Sequence, residues 1–64
     1  MPVVQVYMAR GRPIEVKRQI VQGITELVIK AINARPERVI VQIIELPRDS
    51  ISIAGVLLSE EEKA

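Results

Sequence analysis

The side chains that usually carry acid–base or nucleophilic chemistry are scarce in this chain. Its 64 residues include no His and no Cys, which excludes imidazole bases, Ser–His and Cys–His pairs, and metal sites built from Cys and His. Gly11, Gly23 and Gly55 stand alone, so no glycine-rich phosphate loop exists. The acidic residues 60–62 are expected to be a solvated charge run, and we expect no metal and no cofactor. Carboxylates, lysines, Tyr7 and the amino terminus remain as acid–base groups.

Pro2 is the strongest catalytic candidate. Methionine is commonly removed before a proline, and loss of Met1 would leave Pro2 with a free secondary amine. An α-amine ordinarily titrates at about pH 8, and both an apolar surrounding and a nearby cation lower the pKa of such an amine. A base tuned in this way typically accelerates proton transfer ~10²–10⁴-fold. A proline at this position is weak evidence by itself, because proline makes up about 5% of residues in proteins.

The elements that must position Pro2 are predicted to be two strands joined by a helix. Residues 2–9 alternate between two faces and indicate a strand. Gly11 ends it, and Pro13 suits the first position of a helix. From residue 14 to about residue 33 the period is helical, and residues 39–46 are a nearly continuous apolar run, typical of a strand in a parallel pair. The predicted apolar stripe of the helix consists of Ile20, Val21, Ile24, Leu27, Val28, Ala31 and Ile32.

The end of the chain predicts a short hairpin. Residues 47–50 are a turn cluster, residues 51–53 alternate like a short strand, and Ala54-Gly55 bends the chain before the apolar residues 56–58. One helix can cover only one face of the sheet, which leaves Val and Ile on the other face in water. Exposed apolar patches of that size mark interfaces. We therefore expect an obligate homo-oligomer in which strands of two chains join into a wider sheet.

The order of these features resembles the 4-oxalocrotonate tautomerase family. The resemblance covers residues 2 to about 59 and is carried by the length of the helix and by Pro2-Val3-Val4-Gln5-Val6, Gly11-Arg12-Pro13 and Ile53-Ala54-Gly55. It implies an α/β (α+β) fold, a single β-α-β unit with a short C-terminal hairpin, in one domain of residues 2–64. It also implies a homohexamer, assembled as a trimer of dimers, in which Pro2 is the general base.

The resemblance assigns further site residues. Arg12 occupies the position of an arginine that holds a substrate carboxylate in the family, and a guanidinium matches a carboxylate bidentately. A solvent-exposed turn residue is the alternative for Arg12. The family's second arginine and an aromatic pocket residue align with Ile40 and Ile51, which would form an apolar wall. The lost cation puts a dicarboxylate substrate in doubt.

Arg38 is a candidate replacement for the missing cation. In a strand, residues 38 and 40 would point to the same face, about 6.6 Å apart along the chain, so Arg38 would reach toward the vacated site. The alternative, which we favour, is a solvated side chain next to Glu37. Arg38 is therefore the weakest of the predicted substrate-binding residues.

Charge and hydropathy indicate few other partners. Nine basic and eight acidic residues give a net charge of +1 and form no dense basic stripe, and the chain has a single aromatic residue, so nucleic-acid binding is not expected. No apolar run approaches the roughly 20 residues that span a membrane, and no secretory signal pattern is present. We expect a cytoplasmic protein with a small carboxylate as substrate and further copies of itself as partners.

The residues and the resemblance together predict a cofactor-free keto–enol tautomerase acting on a 2-hydroxy-dienoate or a related 2-oxo acid. One alternative is a non-catalytic oligomeric binding or scaffold protein, favoured if Met1 stays attached, because an amide nitrogen is no base. Another is a dehalogenase-type or decarboxylase-type activity, which needs a further acid. Glu45 is conceivable for that role, although a structural carboxylate at a strand end is the simpler interpretation.

Overall fold

The protein has the predicted β-α-β unit followed by a short hairpin. The computed structural model describes residues 2–61. Strand β1 spans Val3–Ala9, helix α1 spans Ile14–Ile32, and strand β2 spans Ile40–Leu46. β1 and β2 pair in parallel, with Val3 opposite Ile40 and Ala9 opposite Leu46. The fold class predicted from the sequence is therefore confirmed.

The C-terminal segment forms the predicted hairpin. A 3₁₀ turn at Arg48–Ser50 leads into strand β3, Ser52–Ile53, which pairs antiparallel with strand β4, Val56–Leu57. One helical turn, α2, follows at Leu58–Glu61. None of the helices within residues 2–61 has the length and apolar character needed to cross a bilayer.

The two faces of the β1–β2 sheet have different surroundings. On the face toward α1, Val4, Val6 and Met8 are half-buried, and their partners in β2 are Val41, Ile43 and Glu45. On the opposite face Gln5 Nε2 donates a hydrogen bond to Gln42 Oε1 at 3.1 Å. The same face carries Tyr7, which is 65% exposed. One face is thus covered by the helix, and the other has no cover within the described chain.

Helix α1 differs from its prediction in two details. Pro13 is the N-cap, with φ −70° and ψ 160°, rather than the first helical residue. Leu27, Ala31 and Ile32, predicted to lie on the buried stripe, are exposed. A helix of 19 residues is about 28 Å long, whereas a seven-residue strand spans about 20 Å. The last turns of α1 therefore extend beyond the sheet that covers its first turns.

Candidate active site

Pro2 is held at the end of the sheet by the parallel ladder. The N–H of Ile40 donates to the carbonyl of Pro2 at 3.1 Å, which extends the pairing by one residue beyond β1. Pro2 itself is half-buried. The backbone of Pro2 is therefore fixed next to the start of β2. Met1, whose removal the catalytic prediction requires, lies outside the described residues.

The strand residues next to Pro2 are apolar. Val3 and Ile40 are partners in the ladder, and their side chains are 50% and 38% exposed. An apolar surrounding disfavours the protonated form of an amine, because the charge loses hydration there. This end of the sheet therefore combines a fixed residue 2 with apolar neighbours.

Arg12 lies in the loop that joins β1 to α1, at the other end of the sheet. The N–H of Arg10 donates to the carbonyl of Leu46 at 2.8 Å, which anchors the start of this loop. Gly11 has φ +121°, a backbone conformation that residues other than glycine rarely adopt. Arg12 is exposed, and its guanidinium has no ion-pair partner among residues 2–61. Its donors are thus available to an anion.

The length of β1 separates the two main candidates. A seven-residue strand rises about 3.3 Å per residue, so its ends lie about 20 Å apart. Pro2 precedes this strand and Arg12 follows it. A small carboxylic acid cannot contact both residues of one subunit. If both act on one substrate, they must come from different subunits.

Ile40 and Ile51 occupy opposite ends of the sheet as well. Ile40 is beside Pro2, as described above. Ile51 follows the 3₁₀ turn after β2, is half-buried, and accepts a hydrogen bond from the N–H of Leu58 at 2.8 Å. A shallow groove at this second end is lined by Arg10, Gly11, Pro47, Arg48, Asp49 and Ser59. The structure therefore places Ile51 nearer to Arg12 than to Pro2 of the same chain.

Arg38 does not lie in a strand. It ends a 3₁₀ turn, Pro36–Arg38, and its N–H donates to the carbonyl of Arg35 at 2.9 Å. The condition that residues 38 and 40 share a strand face is not met, because the 3₁₀ turn ends at Arg38 and β2 begins only at Ile40. Arg38 remains exposed at the same end of the sheet as Pro2. Its role toward a substrate stays a prediction.

Glu45 is engaged by a lysine that the sequence interpretation missed. Lys17 Nζ lies 2.6 Å from Glu45 Oε1, with the side chains 26% and 25% exposed. Glu45 interrupts the apolar run of β2, and Lys17 interrupts the apolar pattern on the covered side of α1. Two opposite charges at such positions could have indicated the ion pair from the sequence. Glu45 therefore serves as a structural carboxylate. No group of three or more potential metal ligands occurs within residues 2–61.

Comparisons with known proteins show the family and agree with the fold. A family model described as "Tautomerase enzyme" matches residues 2–61. A 2-hydroxymuconate tautomerase of Bacillus subtilis is 40% identical over 62 residues, 97% of this chain and 100% of the relative. A probable tautomerase of Halalkalibacterium halodurans is 38% identical over 61 residues, 95% of this chain and 100% of the relative. A solved structure from work on 4-oxalocrotonate tautomerase isozymes of Methylibium petroleiphilum superposes with a TM-score of 0.93 at 34% identity, covering 97% of both chains.

Proposed function

Because the chain belongs to the tautomerase family of isomerases, we propose that it is a cofactor-free keto–enol tautomerase whose general base is the free nitrogen of Pro2. The observation that carries this proposal is the position of Pro2. Its carbonyl accepts a hydrogen bond from Ile40 at the end of the sheet, and its neighbours in the strands are apolar. A neutral secondary amine there can accept a proton at neutral pH.

The reaction moves one proton within a 2-hydroxy-dienoate. The Pro2 nitrogen takes the proton of the enol hydroxyl, the C–O bond becomes a carbonyl, and the double bonds shift along the chain. The protonated amine then returns the proton to a distal carbon, so that a C–H bond replaces the O–H bond. No atom is gained or lost, and no oxidant or reductant is needed.

Arg12 is proposed to hold the substrate carboxylate. Its exposed guanidinium makes no ion pair among residues 2–61, and bidentate binding would orient the acid and draw electron density toward it. Since about 20 Å separates the ends of β1, the Arg12 that serves a given Pro2 belongs to another subunit. The functional unit is thus an oligomer, and we propose a homohexamer built as a trimer of dimers.

The preferred substrate is proposed to carry one carboxylate. Relatives named 2-hydroxymuconate tautomerase act on a dicarboxylate, whereas the strand residue beside Pro2 here is Ile40. Ile40 offers no charge to a second carboxylate, and desolvating that group without a partner is costly. With Ile51 of another subunit, contributed together with Arg12, as a second apolar wall residue, a related 2-oxo monoacid fits this site better. Arg38 is retained as a secondary candidate for substrate binding.

An ultraviolet assay tests this proposal. Protein lacking Met1 is mixed with 2-hydroxymuconate, 2-hydroxypentadienoate or phenylenolpyruvate, and ketonisation is followed by absorbance. We expect turnover with all three and higher kcat/KM for the monoacids. Pro2→Ala should lower kcat/KM by ~10²–10⁴-fold. A full rate in the variant would remove Pro2 from the base role, and no turnover by folded Met1-free protein would favour a binding or scaffold function.

A further inference from the structure

An ion pair ties the first turn of α1 to the end of β2. Lys17 is the fourth residue of α1, and Glu45 is the last but one of β2. Their side chains meet at 2.6 Å although 28 residues separate them in sequence. Both side chains are about three-quarters covered, so solvent and salt screen this pair less than a surface pair.

The loop that carries Arg12 lies between this ion pair and a backbone anchor. On the strand side, Arg10 N–H donates to the carbonyl of Leu46 at 2.8 Å. On the helix side, Lys17 holds Glu45, the residue that precedes Leu46. Only residues 11–13 separate the backbone anchor from the start of α1. Two attachments to consecutive residues of β2 thus define where the Arg12 backbone can lie.

We infer that Lys17 and Glu45 are positioning residues that act through Arg12. This inference rests on the proposed role of Arg12 as the carboxylate anchor. Without the pair, the first turn of α1 is released from β2, and the cap at Pro13 moves with it. Arg12 then samples more positions, and its bidentate contact with a carboxylate is made less often. The pair lies at the opposite end of the sheet from Pro2 of the same chain, so we expect it to affect a base only through Arg12.

Kinetics of Lys17→Met and Arg12→Ala, singly and combined, test this inference. We expect Lys17→Met to raise KM about fivefold with a smaller change in kcat, and Arg12→Ala to raise KM further. The double variant should match Arg12→Ala alone, because a positioning residue has no effect once the residue it positions is gone. The acidic limb of the pH–rate profile, which reports the amine, should shift no more in Lys17→Met than in Arg12→Ala, because the pair acts on the amine only through Arg12.

Matched variants separate positioning from general destabilisation. Arg18→Met removes an exposed ion pair with Glu15 in the same part of α1 and should leave KM unchanged. Exchange of the charges, Lys17→Glu with Glu45→Lys, should bring KM part of the way back to the value of the parent protein. Glu45→Gln keeps a hydrogen-bond acceptor for Lys17 and should give a milder increase in KM, which supplies a folded variant if Lys17→Met does not assemble.

The outcomes distinguish this inference from the proposed function. If Arg12→Ala leaves KM unchanged, the anchor role of Arg12 fails and the positioning role fails with it. If Arg12→Ala raises KM but Lys17→Met and Glu45→Gln do not, or if their effects persist undiminished with Arg12→Ala, only the positioning role is overturned. A larger shift of the acidic limb in Lys17→Met than in Arg12→Ala would also overturn it, because the pair would then act on the base without Arg12.

Discussion

Pro2 and Ile40 lie side by side at the end of the sheet, and the proposed base chemistry depends on both of them. The backbone of Pro2 is fixed through Ile40, while the side chain of Ile40 supplies an apolar surface instead of a charge. The same position thus favours a neutral amine and disfavours a second substrate carboxylate. The proposed function therefore couples substrate preference and base strength at residue 40.

Ile40→Arg tests this coupling. The Ile40 side chain is 38% exposed, so a guanidinium fits there without full burial. We expect kcat/KM for the dicarboxylate 2-hydroxymuconate to rise about tenfold, the value of one charge-assisted hydrogen bond. A matched monoacid should gain little. Ile40→Met, which adds length without charge, is the control, and an equal gain for both substrates would contradict the assignment of Ile40 to the substrate-facing wall.

At the scale of elements, the hairpin contains a residue in an unfavourable conformation. Ala54 has φ +54° and Gly55 has φ +83°, and these two residues alone connect β3 to β4. Positive φ at both central positions is typical of a type I′ turn, for which Asn-Gly is preferred. An alanine in the left-handed region costs roughly 1 kcal/mol relative to a residue that tolerates it.

Ala54→Asn is therefore expected to stabilise the protein. The predicted gain is ~0.5–1 kcal/mol in the free energy of unfolding, because Asn tolerates the left-handed conformation. Thermal unfolding at a fixed protein concentration measures it. Gly55→Ala, which forces a Cβ onto φ +83°, should lower stability by a similar amount. A loss of stability in Ala54→Asn would show that the turn does not limit the hairpin.

The elements that the sequence predicts well are those with a clear period. Apolar residues alternate along the predicted strands and recur every three or four residues along the predicted helix. The order of strands, helix and hairpin follows from these patterns, and the structure agrees with it. The sequence fails where non-local geometry decides. It does not show how far α1 extends beyond the sheet, so it places Ala31 and Ile32 on the buried stripe although both are exposed. It also does not pair Lys17 with Glu45 across 28 residues.

The candidate site was predicted as a set of residues but not as an arrangement. Pro2 stands out by its position in the sequence and Arg12 by the resemblance to the family, yet their separation depends on the straight path of β1 between them. Arg38 could be a candidate only if the strand began before residue 39, and the sequence does not show that Pro36 starts a 3₁₀ turn that continues to Arg38.

At the scale of the whole molecule, one subunit is too thin to enclose a core. It measures 45 × 24 × 14 Å, and its radius of gyration is 14.9 Å, compared with about 10.7 Å for a compact domain of this length. No hydrophobic side chain within residues 2–61 is fully buried, and Tyr7, Leu27 and Ile53 are each more than half exposed. Association with other subunits is needed to cover these surfaces.

Mixed oligomers test whether a site draws on two subunits. Pro2→Ala and Arg12→Ala proteins are unfolded together in equal amounts, refolded and assayed. If Pro2 and Arg12 of a site come from different chains, random assembly restores about a quarter of the sites. The rate should then reach about a quarter of that of the parent protein, well above either variant refolded alone. A rate no higher than the mean of the two variants would mean that both residues act within one chain.

The central claim, that the base is the free nitrogen of Pro2, is tested most directly by relating turnover to the state of the amino terminus. Preparations with different fractions of Met1 removed are assayed, and intact mass gives the fraction in each. The account predicts that kcat/KM per subunit is proportional to the fraction of chains that begin at Pro2 and extrapolates to almost zero when every chain keeps Met1. Equal turnover by a preparation that retains Met1 throughout would contradict it, because an amide nitrogen cannot accept the proton.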